Sequence, residues 1–547
     1  MDGSSLADIR AAVERAEAAL GADDVSGAVR IASEAVSAGL EAPLLLNLAA
    51  YGLELRYEFQ ESLNLLQRAH VMTPGDPLIL NAIGQSLSQQ GRVEDARDAY
   101  EAALRIDPVL APAHYGLGLA YELLNDEELA WICLERAIQF APNFADPIGS
   151  LAGLAVKRKD YEQARILAER ALAIDPMQPA ANLSLAAAEF ESGDQDAAEK
   201  RLLPLVQKGA MAPLHQASVW RRLADIYDST GRPKEAFEAY AASNGLVRMV
   251  YKSHFVEPGG EMGVELCARL ADHFRSTPKK IWQTKPAAQL PPGPAKGHVF
   301  LVGFPRSGTT LLEQVLASHP EVVALEERPT LTPFVWDFFG DAAGLDRLAK
   351  LTEAEIADLR EIYWRKVRSF GVEPEGKVFV DKMPLTTIWI PLIARLFPDA
   401  GILLVRRDPR DVVWSCLRRR FKQTPFMYEF TDVARAARFY DGVMTLAEIY
   451  QEKFPLRFHV HVHEQLIANF DAETRALCDF MGLPWTERMR DFVTTAKSRD
   501  VRTPSAPQIL KGLNDSGVAQ WRSYAEGLAP AMPYLQAWVD KFGYADA

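Results

Sequence analysis

A 34-residue period runs through the first half of this 547-residue chain and constrains its fold more than any other feature. Pro74, Pro108, Pro142 and Pro176 recur at that step. So do Ala69, Ala103, Ala137 and Ala171, then Ala96, Ala130, Ala164 and Ala198, and also Gly84, Gly118, Ala152 and Ala186. Several residue types repeating in register mark stacked copies of one supersecondary unit. Small residues at fixed places let the two helices of a hairpin approach closely. Each proline ends a second helix, as in EAALRIDP and ERALAIDP, and opens the next unit. A single hairpin cannot bury its own apolar face, so neighbours must stack into an α-α superhelix.

The period, Gly91 and the tyrosine that follows it in QQGRVEDARDAYEAAL resemble the tetratricopeptide repeat. TGRPKEAFEAYAAS matches after a short insertion. About six units are read over residues 6–245, the first two degenerate, which makes 1–245 one solenoid domain. The resemblance implies a concave groove that binds a protein or an extended peptide, and leaves the partner open. Residues 246–297 lose the rhythm. MVYKSHFVEPGGEMGVELCARLADHF reads as a loop and a helix, and PAAQLPPGPAKGH as a stiff connector before a further domain at 298–547.

With 48% hydrophobic and 24% charged residues the chain has the composition of a globular protein. Its net charge of −13 is the wrong sign for a general nucleic-acid binder, so no nucleic acid is expected as a partner. Cys133, Cys267, Cys416 and Cys478 form no C-x-x-C pair, which predicts neither a disulfide framework nor a zinc site. MDGSSLADIR lacks a basic start and an apolar core, and no apolar run approaches the ~20 residues of a membrane span. A cytoplasmic protein without membrane attachment is the expectation.

The chemistry lies in HVFLVGFPRSGTTLLEQVLASHP. An apolar, β-branched run predicts a buried strand, PRSGTT a tight turn, and TTLLEQVLASH a helix. Strand, turn and helix N-terminus together form an oxyanion site. The spacing approaches a Walker loop: Gly303, Gly308 and Thr310 match, but Thr309 stands in place of the lysine, and Arg306 supplies a different cation. GILLVRRDPRDVVWSCLRRRF reads as a second buried strand followed by a helix, with Pro409 in its first turn. Ser415 and Arg419, four apart, share a helical face, and arginine's planar fork suits phosphate. KVFVDKMPL is a third strand, ending at Lys382.

PRSGTT followed by a helix and HPEVVALEE resembles the sulfotransferase superfamily, most nearly its tyrosylprotein sulfotransferase branch, over roughly residues 298–525. The resemblance implies a P-loop-like three-layer α/β/α domain with a parallel central sheet. It also implies sulfuryl transfer from 3′-phosphoadenosine 5′-phosphosulfate to an acceptor hydroxyl, without a metal. Carried over residue by residue, Arg306, Ser307, Gly308, Thr309 and Thr310 hold the 5′-phosphosulfate end. Arg407, Ser415 and Arg419 hold the 3′-phosphate. Lys382 reaches the bridge between the 5′-phosphate and the sulfuryl group. Glu327 is the base, with Glu326 beside it. In VRTPSAPQILKGLNDSGVAQWRSY, Ser505 contacts the sulfuryl oxygens, Gln508 and Lys511 contact the nucleotide, and Asn514 and Trp521 fall on matching positions.

The chain departs from that pattern at Gln520, where the family has lysine, and at His463, where it has a tyrosine beside the adenine. The arginine-rich stretch that grips acidic peptides keeps only Arg328, with Pro329 and Pro333 at matching places. The acceptor is therefore open: a protein tyrosine, a serine or threonine, a sugar hydroxyl or a small metabolite. His459, His461 and His463 alternate in PLRFHVHVHEQL and read as ordinary strand histidines. Two other readings stand beside the enzyme: a P-loop kinase, with Asp381 as its one candidate for holding Mg²⁺, and a non-catalytic repeat adaptor.

Overall fold

The computed structural model describes residues 3–207, 211–256, 260–283, 293–499 and 509–545, and divides into two compact units, Met1–Glu257 and Pro258–Ala547. In the first unit the second helices of the hairpins begin at Val25, Phe59, Val93, Glu127, Tyr161 and Gln195, each 34 residues after the last. The first helices begin at Pro43, Pro77, Ala111, Ala145, Pro179 and Pro213 with the same step. Counting Gly3–Gly21 with Val25–Ser37, the described residues form seven pairs, one more than the sequence rhythm shows. Leu40 stands where later units carry proline, and Gly39 makes the turn there instead, with φ of 79°.

The repeat is also written in the backbone. The residue between the two helices is left-handed at Asp23, Tyr57, Gly91, Asn125, Lys159 and Gly193, again 34 apart. The turn demands that conformation, and packing enforces it even on tyrosine and lysine, at about 1–2 kcal/mol each. Asp126 and Asp160 then cap the second helices, accepting from Leu129 N at 3.0 Å and Gln163 N at 3.1 Å. The alanines at 69, 103, 137 and 171, and at 96, 130, 164 and 198, are fully buried where helices cross. A Cβ at Gly84 would lie 2.7 Å from the Tyr100 ring, and one at Gly116 2.4 Å from it, so that ring wedges between two neighbouring first helices. The short insertion is one extra turn: Pro213–Ser229 has 17 residues where the first helices of the five preceding pairs have 12 or 13. Pro233–Phe255 continues past the point where the rhythm stops. Its end turns back on the second hairpin, where Ser253 Oγ donates to Tyr57 O at 3.2 Å.

The second unit is built on a parallel sheet of β1 (Gly297–Val302), β2 (Val322–Glu326), β3 (Val378–Lys382), β4 (Gly401–Arg406) and β5 (Arg457–Val462), in the order β2-β3-β1-β4-β5. Both faces are buried, as the unbroken apolar runs require. Val299, Leu301, Val380, Leu403 and Val405 pack on Leu312, Val315 and Leu316 of the helix Thr309–Ala317. The alternate residues Phe300 and Phe379 meet an aromatic cluster of His298, Tyr363, Trp364 and Phe397. Part of the stretch read as a connector belongs to this unit: the helix Gly263–Ser276 packs on Val433–Lys453, with Phe274 5.2 Å from Tyr450. The Pro-rich segment 284–292 lies outside the described residues. Among the described residues no helix is long and apolar enough to cross a membrane.

The chain leaves β1 toward β2 and β3, then crosses to β4 on the other side of β1. The loops after β1 and β4 therefore diverge, and open a crevice at the carboxyl ends of the two strands.

The left-handed turns yield a direct test. Gly91 has φ of 73° and nothing within 4 Å of an added Cβ, so Gly91→Val changes conformational strain alone. We expect a loss of about 1–2 kcal/mol in urea unfolding of the repeat unit, and a smaller one for Gly91→Asn, because Asn tolerates αL and Asn125 already holds the equivalent place.

Candidate functional site

The crevice between β1 and β4 receives the loop 303–308 and the N-terminus of Thr309–Ala317. Gly303 and Gly308 are both left-handed, with φ of 156° and 102°. A Cβ on Gly303 would sit 2.8 Å from Val405 O, and one on Gly308 2.3 Å from His463 Nδ1. The loop fits its place only because these side chains are missing. Between them Arg306 is also left-handed, at φ 70°. Its Nε donates to Ser415 Oγ at 3.0 Å, and its carbonyl accepts from Arg407 Nη1 at 3.1 Å. Ser307 is buried, and its Oγ has no hydrogen-bond partner among the described residues.

Arg306, Gly308, Arg407, Ser415 and His463 line one cavity, closed on the far side by Ile509, Gly512, Asn514, Ser516, Gly517 and Gln520. Burial, then the neighbouring guanidiniums of Arg419, Arg407 and Arg418, pull the Arg306 guanidinium down to about 10. Like charges gathered at a helix N-terminus, beside an orphaned buried hydroxyl, make an anion site. His463 begins the helix after β5 and does not lie in the strand with His459 and His461. Burial and Arg407 push its imidazole down to about 3, so it is neutral at working pH.

The helix Pro409–Leu417 is fixed from both ends. Asp408 caps it, accepting from Arg410 N at 2.9 Å, and Glu464 accepts from Asp408 N at 3.0 Å and from the Tyr544 hydroxyl at 2.7 Å. Asp411 accepts from Ala519 N at 2.7 Å and Trp521 N at 2.9 Å, while Arg407 donates to Gly517 O. These bonds tie the segment 517–521 across the cavity mouth. Trp521 lies 3.7 Å from the Arg410 guanidinium, and Arg418 bonds Gln520 at 3.1 Å. Lys511 is exposed and outside the lining. Ser505 and Gln508 lie outside the described residues.

The acidic residues stand at the ends of β2 and β3. Glu327 is left-handed at φ 40°, held by its N–H to Lys382 O at 2.8 Å. Lys382 does not line the arginine cavity. Its ammonium is completely buried, 2.8 Å from Glu327 Oε1, 3.4 Å from Glu313 Oε2 and 3.7 Å from Glu326 Oε1. Burial opposes that charge, but Glu313, Glu327 and Glu326 outweigh it and hold the ammonium above its ordinary range. Burial raises the Glu326 carboxyl, against the pull of Lys382. Asp381 turns the other way: it accepts from Tyr363 OH at 2.7 Å and Thr330 Oγ1 at 2.8 Å, and burial lifts it to about 6. Both bonds fall on Oδ2 and hold the carboxylate in the buried core.

Four residues that the sequence reading passed over belong here: Glu313, Asp411, Glu464 and Arg499. Asp411 lay within the RDPRD motif. Glu313 is a charged residue at an otherwise apolar helical position, TTLLEQVL, and that mismatch was its only signal.

Fold and site together define an α/β unit with an arginine-bearing loop at a helix N-terminus, following a helical repeat array in the chain. Comparison with known proteins agrees. Residues 298–487 match the Sulfotransferase family, and residues 84–125 and 111–144 match tetratricopeptide repeats. The chain thus carries tetratricopeptide repeats and a sulfotransferase-family domain. An uncharacterized protein of Aquifex aeolicus is 28% identical over 253 residues, which is 44% of this chain and 33% of that one. Protein-tyrosine sulfotransferase A of Caenorhabditis elegans is 24% identical over 261 residues, 45% of this chain and 67% of that one. The chain spans only about a third of the length of the Aquifex protein. Among solved structures, a tetratricopeptide repeat protein from Parabacteroides merdae aligns with 45% of this chain and 99% of its own, at 16% identity and a TM-score of 0.35.

Gly308→Ala should push His463 into the cavity and distort the loop. We expect adenosine 3′,5′-bisphosphate to bind roughly tenfold to a hundredfold more weakly, the loss of about one charge-assisted hydrogen bond, as read by calorimetric titration.

Proposed function

We propose that the chain is a sulfotransferase that moves a sulfuryl group from 3′-phosphoadenosine 5′-phosphosulfate to an acceptor hydroxyl, while its repeats bind a protein or peptide. The observation that carries this reading is the convergence of Arg306, Arg407, Arg418 and Arg419 on a phosphate-loop helix that has Thr309 in place of the Walker lysine. In this reading Arg306, Ser307 and the N–H groups of 308–310 hold the 5′ end of the donor. Arg407, Ser415 and Arg419 hold its 3′-phosphate, and Ser505, Gln508 and Lys511 add contacts from the C-terminal segment.

Glu327 takes the proton of the attacking hydroxyl. The acceptor oxygen bonds to sulfur, the bond from sulfur to the bridging oxygen breaks, and its electron pair leaves on the 5′-phosphate, where Arg306 meets the charge. Lys382 holds Glu327 before the reaction. Once Glu327 is protonated that ion pair weakens, and the ammonium becomes available to the bridging oxygen. The arginines and loop amides supply the positive charge, so the proposed step uses no metal. The unusual backbone at Glu327 supports a catalytic part over a decayed adaptor.

The acceptor is written only as a hydroxyl. Arg328 lies over the Phe370 ring at 5.4 Å, and the family's further peptide-gripping arginines are absent. The repeat unit, residues 1–257, holds 37 acidic against 23 basic side chains, an unfavourable surface for an acidic peptide.

Two variants separate binding from chemistry. Arg407→Ala should abolish micromolar binding of adenosine 3′,5′-bisphosphate in metal-free calorimetry. Glu327→Gln should bind it normally while consumption of labelled donor falls about a hundredfold or more. Failure of the wild-type protein to bind the bisphosphate would refute the donor assignment.

A further inference from the structure

Glu313 is buried completely, and nothing in the reaction above uses it. It points from the phosphate-loop helix into the space between β2 and β3. One oxygen accepts from Arg499 Nη2 at 2.9 Å; the other lies 3.4 Å from Lys382 Nζ and makes no hydrogen bond of its own. Arg499 also donates to Ala324 O at 2.8 Å and Gln314 Oε1 at 3.2 Å, which fixes it beneath β2. The charged groups of this space are Glu313 from the loop helix, Glu326 and Glu327 from the end of β2, Asp381 and Lys382 from β3, and Arg499 from the end of the helix Phe492–Ser498. Asp381 accepts from Thr330 and Tyr363 through one oxygen, and among the described residues Glu313, Glu326 and Glu327 all meet Lys382, while Glu313 also meets Arg499.

A buried carboxylate is costly, and this one is held by Arg499 on one oxygen and by the Lys382 ammonium on the other. We infer that Glu313 is a positioning residue for the base: it shares the Lys382 ammonium and so sets how firmly that ammonium is held by Glu327. The inference rests on Glu327 acting as the base. The sign follows from charge alone. A cation beside a carboxylate lowers its pKa and a second carboxylate raises it. With Glu313 neutral, the ammonium falls wholly on Glu327 and Glu326, and the repulsion from Glu313 disappears. Both changes tighten the hold of Lys382 on Glu327.

Glu313→Gln keeps the shape and the acceptor for Arg499. The probe is sulfur-labelled 3′-phosphoadenosine 5′-phosphosulfate with water as the acceptor: water's oxygen bonds to sulfur, the bridge to the 5′-phosphate breaks, and Glu327 takes the proton. Released sulfate is followed from pH 5 to 9. A parallel titration with adenosine 3′,5′-bisphosphate in two buffers of different ionisation enthalpy counts the protons taken up on binding. We expect unchanged affinity, an acid limb of the rate profile lower by about one pH unit, and fewer protons taken up at pH 6, with Glu313→Asp restoring part of both. A rate limb and proton count identical to wild type in Glu313→Gln overturn the inference. Absence of bisphosphate binding in the wild-type protein sinks instead the donor assignment on which it stands.

Discussion

Arg306 and Arg407 line one cavity, and the guanidiniums of Arg418 and Arg419 stand close enough to act on Arg306 as well. Burial together with Arg419, Arg407 and Arg418 weakens the hold of Arg306 on its proton. A fold tolerates such an arrangement when an anion completes it. The nearest carboxylate, Asp411, lies 3.8 Å from Arg407 and spends its oxygens on the amides of Ala519 and Trp521. The two arginines of the RDPR turn divide the work. Arg407 faces the cavity, while Arg410 is paired with Asp408 at 2.7 Å and covered by Trp521. The surroundings hold these arginines in place: the glycines let the loop approach, Asp408 caps the helix, and Tyr544 bonds Glu464 behind it.

The same groups that carry charge also hold strain. Among the described residues of the second unit, the left-handed positions other than glycine are Arg306, Glu327 and Ala519. Each is pinned by a partner from the site: Arg306 O by Arg407, Glu327 N by Lys382 O, and Ala519 N by Asp411. Each costs of order 1–3 kcal/mol and persists because the surroundings over-determine it. The result is a set of donors and a carboxylate aimed before any ligand arrives, which is the condition under which electrostatic stabilisation is effective.

What could be read from the chain follows from how local each feature is. The 34-residue step is local, so buried alanines and helix-ending prolines are legible, and the degenerate first units fall within residues 6–245 although the count is one short of the seven pairs. Strand, turn and helix around PRSGTT and RDPRD were legible for the same reason, since apolar runs, glycine spacing and an N-terminal proline act within a dozen residues. The network joining Glu313, Glu326, Glu327, Lys382 and Arg499 was not. It spans 186 residues of sequence, and no spacing rule says that a glutamate in TTLLEQVL will meet an arginine after the last helix of the core. Lys382 shows the limit most plainly: its position at a strand end was readable, but its partners, three carboxylates, come from other elements.

The acceptor side has its own logic. The helix that follows Glu327 carries Trp336, exposed to 79%, where a grip for acidic peptides would need arginines. Thr330 is drawn inward to Asp381, and Arg328 is spent on Phe370. The segment after the base is therefore held for the core and presents an aromatic surface outside. Residues 328–339 hold a single cation, Arg328. The donor side keeps the charges that a phosphosulfate requires, and the acceptor side has lost those that an acidic peptide requires. In the proposed reaction, then, the donor is chosen at the arginine crevice and the acceptor by surface outside it.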